Sequence, residues 1–152
     1  MRKRSKYKPK GVRPDAISYV LSGIRPFANV PYGTTLRIKN HDALDRLRRG
    51  EADKETIDVL IGTYNVTEGL VRQGIGVDYA QEIRAGQDAL LAVARRGGNF
   101  ILRPEELNAL NLAMEIHDAQ LDVCTVVELE RAIDIVQEDV IHKRARPIKC
   151  AQ

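Results

Sequence analysis

Residues 104–142 constrain this chain more than any other stretch. Arg103–Pro104 leads into Glu105 and Glu106. Proline suits the first position of a helix and carboxylates suit its positive end. Leu107, Leu110, Met114, His117, Leu121 and Cys124 then recur at spacings of three and four, the stripe one helix face turns toward a core. Thr125 to Glu128 fits the T-x-x-E capping box. A second run, Leu129, Ile133, Val136 and Val140, follows out of phase with the first. The phase change predicts a break or kink near residue 125.

The rest of the chain reads in the same way. "RPDAISYVLSGIRPFA" is a short helix that Pro26 ends. "NVPYGTTLRIK" carries turn signals at Pro31 and Gly33, then alternates through Thr35, Leu36, Arg37, Ile38 and Lys39. That alternation reads as one short strand or an extended linker, with "NFILR" at 99–103 its one candidate partner. "NHDALDRLRRG" is a short helix with Asn40 as N-cap and Gly50 just past its end. Ile57, Leu60, Ile61, Tyr64 and Val71 mark a longer helix closed by Gly74. Tyr79, Ile83, Leu90, Leu91 and Ala94 mark another, closed by Gly97–Gly98. The expected fold is all-α: a bundle of about four main helices plus two short ones, with at most one minor β-hairpin. Aromatic residues are few and Trp is absent, which also suits a helical core of Leu, Ile, Val and Ala. No apolar run approaches the length of a membrane span. No apolar segment of a secretory signal follows the basic start. Cys124 and Cys150 form no disulfide framework. A cytoplasmic setting is therefore expected.

Charge is segregated along the chain. Residues 1–13 hold seven Lys or Arg and no acid, residues 143–149 four Lys or Arg, and all 21 acids lie between. The net +3 thus combines +7 and +4 at the ends with −8 in the middle. This divides the chain into a basic arm (1–13), one helical domain (14–142) and a basic tail (143–152). In the arm, Pro9 and Gly11 oppose a stable helix, and Tyr7 stands among the cations. A flexible cationic arm of this kind neutralises phosphates and sets an aromatic ring against a base. The candidate nucleic-acid contacts are Arg2, Lys3, Arg4, Lys6, Tyr7, Lys8 and Lys10, with Arg46, Arg48 and Arg49 as an extension. The competing reading is contact with an acidic protein surface. Residues 105–139, with ten acids and one Arg, offer one within the chain or a second copy.

The other motifs are weaker. His-Asp occurs twice, at His41–Asp42 and His117–Asp118. HD-type metal phosphohydrolases are helical and use such pairs, since imidazole and carboxylate suit a divalent metal beside a phosphate. But His117 falls on the apolar stripe, where a hydrogen-bonded core residue is the plainer reading. On that reading a His117→Leu change is expected to be tolerated. "GIGVDYAQ" lacks the third glycine of a dinucleotide loop and reads as a helix-to-helix turn. Glu115, Asp118 and Asp122 share a helix face and read as an exposed acidic surface. Cys124 reads as a small buried residue. Asn65-Val66-Thr67 fits a glycosylation triplet but lies mid-helix.

"RKRSKYKPKGV", "RAGQDALLAVARRG" and "ALNLAMEIHDAQLD" together resemble small phage- and prophage-encoded proteins of proteobacteria. That resemblance implies a setting inside a bacterial host cell and carries no catalytic residue. The expected function is non-enzymatic binding, with the arm on nucleic acid or an acidic surface and no cofactor. An inhibitor of a host factor or a sequesterer of a nucleotide signal is the second reading. An HD-like phosphohydrolase is the third. A homodimer through the C-terminal helices is expected, because two helices leave apolar length uncovered.

Overall fold

The computed structural model describes residues 25–142 and Arg144; the arm, the helix expected at 14–25 apart from Arg25, and most of the basic tail lie outside the described residues. A 3-10 turn at Phe27–Asn29 leads into five helices. They are α1 (Pro31–Arg48), α2 (Lys54–Val71), α3 (Ala80–Arg96), α4 (Pro104–Val123) and α5 (Val126–Ile141). The all-α bundle follows from the apolar stripes, and among the described residues no helix is long and apolar enough to cross a membrane.

The α4–α5 break falls where the phase change places it. Thr125 caps α5: its hydroxyl accepts from the Glu128 N–H, and the Glu128 carboxylate accepts from the Thr125 N–H. Asp53 and Thr56 build the matching box at the start of α2. Glu106 does half of that work for α4, accepting from the Arg103 N–H while it holds Arg96 at 2.5 and 2.6 Å. Gly50 and Gly97 follow α1 and α3 with positive φ of 74° and 63°. That backbone suits a residue without Cβ.

The extended reading of 30–39 is corrected. Pro31 opens an 18-residue helix rather than a turn, and the residues expected as a hairpin form none. Leu36, Asn40, Ala43, Leu44 and Leu47 turn inward at helical spacing, a period the alternation at 35–39 hid. Gly33 serves close packing rather than a turn: a Cβ there would meet the Phe27 ring at 3.3 Å. Asn40 is consequently no N-cap. It lies mid-helix and buried.

The main core is built by α1 to α4 around Leu47, Leu60, Tyr64, Leu90, Val93, Leu110 and Met114. Phe27, Leu70, Leu121, Cys124, Leu129 and Ala132 form a second cluster that seats α5. Two glycines set the closest crossings. A Cβ at Gly86 of α3 would lie 2.5 Å from the Ala113 Cβ of α4, and one at Gly69 of α2 would lie 2.9 Å from the Ala132 carbonyl of α5. The chain enters the bundle beside the α4–α5 junction. The Phe27 N–H donates to the Cys124 carbonyl at 2.9 Å and the Val126 N–H to the Arg25 carbonyl at 3.0 Å.

Candidate functional site

Of the ten candidate nucleic-acid contacts, the seven in the arm lie outside the described residues. Arg46, Arg48 and Arg49 end α1 and its cap, and each meets a carboxylate. Arg46 reaches Asp53 at 3.4 Å, Arg48 reaches Asp45, and Arg49 reaches Asp45 at 3.0 Å and Glu51 at 3.3 Å. Asp45 is held below the usual carboxylate range mainly by Arg48, and Asp53 mainly by its hydrogen bonds from Thr56, with Arg46 a smaller cause. A phosphate arriving here competes with local acids. Exposed pairs are worth little, so the competition is mild.

The two His-Asp dipeptides, 76 positions apart in sequence, meet across the α1–α4 interface. His41 Nε2 lies 2.6 Å from Asp118 Oδ2. Arg37 donates to Asp122 Oδ1 at 2.6 Å and to the Asp118 carbonyl at 3.2 Å. Its guanidinium stands 3.6 Å from Asp118 Oδ1, an ion-pair separation too long for a hydrogen bond. The acidic face read from Glu115, Asp118 and Asp122 is therefore partly covered by α1, and Glu115 alone of the three is exposed without a partner among the described residues.

One turn inward lies a closed polar network. Thr67 Oγ1 donates to the Thr63 carbonyl at 2.8 Å, so it must accept from His117 Nδ1 at 2.9 Å. His117 Nε2 is left as the acceptor, and Asn40 Nδ2 faces it at 3.4 Å. Asn40 Oδ1 shares the Thr63 hydroxyl proton, at 3.1 Å, with the Val59 carbonyl at 2.9 Å. His117 is 1 % exposed. Burial, opposed by Asp118 and aided by Arg37 and His41, pushes it down to about 4, so it is neutral at pH 7 in one tautomer. Both ring nitrogens are spent on protein. Among the described residues no cluster of three His, Cys, Asp or Glu side chains is arranged to hold a metal ion. Cys124 is fully buried with its thiol pushed up to about 11, mainly by burial, as a packing residue's would be.

The opening the sequence did not announce is a cleft of about 370 Å³ between α2, α3 and α5. Gly69 draws α5 onto α2 near Ala132, and α5 has no comparable seam with α3. The gap is lined by Ile61 and Asn65 of α2, Arg84 and Leu91 of α3, and Ile135 and Val136 of α5. Gln87, Glu68 and Arg72 supply further polar lining. Arg72 spans Asp139 at 2.8 Å and Glu68 at 3.4 Å, and Arg144 meets Asp139 at 3.0 Å. The only hint in the sequence was apolar residues on α2 and α3, Ile61 and Leu91, beyond what one core face needs. No family model, no curated protein and no solved structure matches the chain.

Proposed function

We propose that this chain is a non-enzymatic, phage-type accessory protein that acts by binding, with the basic arm 1–13 contacting nucleic acid or another acidic surface. The observation that supports the reading is where positive charge is left over. In the helical body, Arg37, Arg46, Arg48, Arg49, Arg72 and Arg96 all lie in ion pairs with carboxylates. The residues 14–142 carry −8. The seven arm cations have no acid within their own segment, and counterion release makes phosphate a favourable partner for such a segment. The partnered arginines of α1 argue for the arm as the main contact, with Arg46, Arg48 and Arg49 secondary. Dimerisation through the C-terminal helices belongs to the same proposal. Ile133 and Val140 of α5 remain exposed.

Titration of a DNA duplex at two salt concentrations tests the reading. Deleting residues 1–13 moves the formal charge from +3 to −4 and should abolish binding. In the intact chain log–log salt dependence should fall by about 0.9 per phosphate contacted. Duplex affinity unchanged by the deletion would sink the nucleic-acid reading. A dimer lost on the same deletion would assign the arm to the acidic surface of a second copy.

A further inference from the structure

We infer that the cleft between α2, α3 and α5 is a binding site for a small amphipathic anion, an apolar body carrying one carboxylate, sulfonate or phosphate head. Its volume, about 370 Å³, lies in the range of small-molecule sites. About half of its lining is apolar, supplied by Ile61 of α2, Leu91 of α3, and Ile135 and Val136 of α5 among others. Its polar groups divide into spent and unspent. Glu68 and Asp139 are occupied by Arg72 and Arg144, and Glu68 also receives Gln87 Nε2 at 2.9 Å. Those two acids and two arginines balance.

What remains is one cation and two amide groups. Arg84 lines the cleft with no carboxylate partner among the described residues. Asn65 spends its oxygen on Gln87 at 3.4 Å and leaves Nδ2 without a partner among the described residues. Gln87, 7 % exposed, points its amide nitrogen at Glu68, Asn65 and the Tyr64 carbonyl, and its Oε1 receives no donor. The site therefore complements a negative head for Arg84 and Asn65, a donor for Gln87, and an apolar body between Leu91 and Val136. A lone inorganic anion offers the first and forgoes the apolar walls. A neutral hydrocarbon offers the last and leaves Arg84 unmet. The charge balance thus favours a ligand that has both.

A matched pair of fluorescent probes tests this on the full chain: anilinonaphthalene sulfonate and its uncharged analogue phenylnaphthylamine. The sulfonate should bind at one per chain and be displaced by octanoate, but not by inorganic phosphate alone. Arg84→Gln, at an exposed position, should weaken the sulfonate about tenfold, the loss of one charge-assisted contact, and leave the uncharged probe unchanged. Val136→Trp, which fills the cleft, should remove both. If Val136→Trp melts at a lower temperature, Arg84→Gln alone decides. Equal loss of both probes in Arg84→Gln, more than one site per chain, or displacement by inorganic phosphate would each overturn the proposal. So would probe binding that disappears as protein concentration rises, because a second copy would then be the occupant.

Discussion

His117 should make the fold lose stability between pH 6.5 and pH 4. In the unfolded chain its imidazole takes up a proton near its ordinary 6.5, whereas in the bundle it resists until about 4. The unfolded state therefore binds more protons across that window, and stability rises with pH through it. The contribution is complete above the unfolded value and is lost as pH falls toward the folded one. From pH 7.5 to pH 5 the loss works out at about 2 kcal/mol, and by pH 4 at about 3 kcal/mol. Roughly 2 kcal/mol corresponds to a Tm lower by about 5–10 °C for a domain of this size. The paired carboxylates act with the same sign but at lower pH. Glu106 is held low mainly by Arg96, and Asp139 mainly by Arg144. Their contribution is lost only as pH falls below about 4.5, the ordinary range. Urea melts at pH 7.5 and 5.0 separate the two. His117→Gln, an amide that still faces Thr67 and Asn40 but does not titrate in this range, should flatten the slope above pH 5. Equal stability of the native chain at the two pH values would refute the reasoning, as would an unchanged slope in His117→Gln.

Other consequences can be measured on the same apparatus. His117→Leu, tolerable on the sequence reading, should cost about 1–3 kcal/mol, because Asn40 Nδ2 would be buried without an acceptor; a neutral or stabilising urea melt would contradict the network. Asn40→Ala should cost a similar amount, because it leaves His117 Nε2 buried without a donor while Thr63 keeps its bond to the Val59 carbonyl. Gly86→Ala gains helix propensity of about 1 kcal/mol yet drives a methyl against Ala113, so a net loss in Tm is expected, and a gain would show that α3 and α4 part easily. Thr125→Ala removes the cap of α5 and should cost about 1 kcal/mol, with helicity by circular dichroism falling only slightly.

Sequence pattern revealed helices where the apolar period was clean and the ends were marked by chemistry. Thr125 and Glu128 announced α5, and Gly50, Gly74 and Gly97 announced ends, because caps and left-handed closures are local events. The first half of α1 was misread for an equally local reason. Thr34, Thr35 and Ile38 favour strands, and Pro31 and Gly33 favour turns, while packing of Leu36 and Asn40 on distant residues decides the outcome. His117 was legible as a core residue from its place between Met114 and Leu121. Its partners were not, since Thr67 and Asn40 lie 50 and 77 positions away. The meeting of His41 with Asp118 was hidden by the same long-range pairing. The cleft was least legible of all, because a gap arises from how three helices fail to close and leaves no motif.

The last helix has one principal seam, with α2, tightened where Gly69 meets Ala132. It leaves Val127, Ile133, Val140 and Ile141 exposed. Such an element can detach while the four-helix core stays intact, since sub-global opening follows the elements with the fewest buried contacts. Amide protons of Leu129 to Val136 should then exchange with solvent faster than those of Leu60, Val93 and Leu110. Whatever settles between Leu91 and Val136 would hold the seam shut, so occupancy would register as slowed exchange along α5, at a distance from the ligand itself.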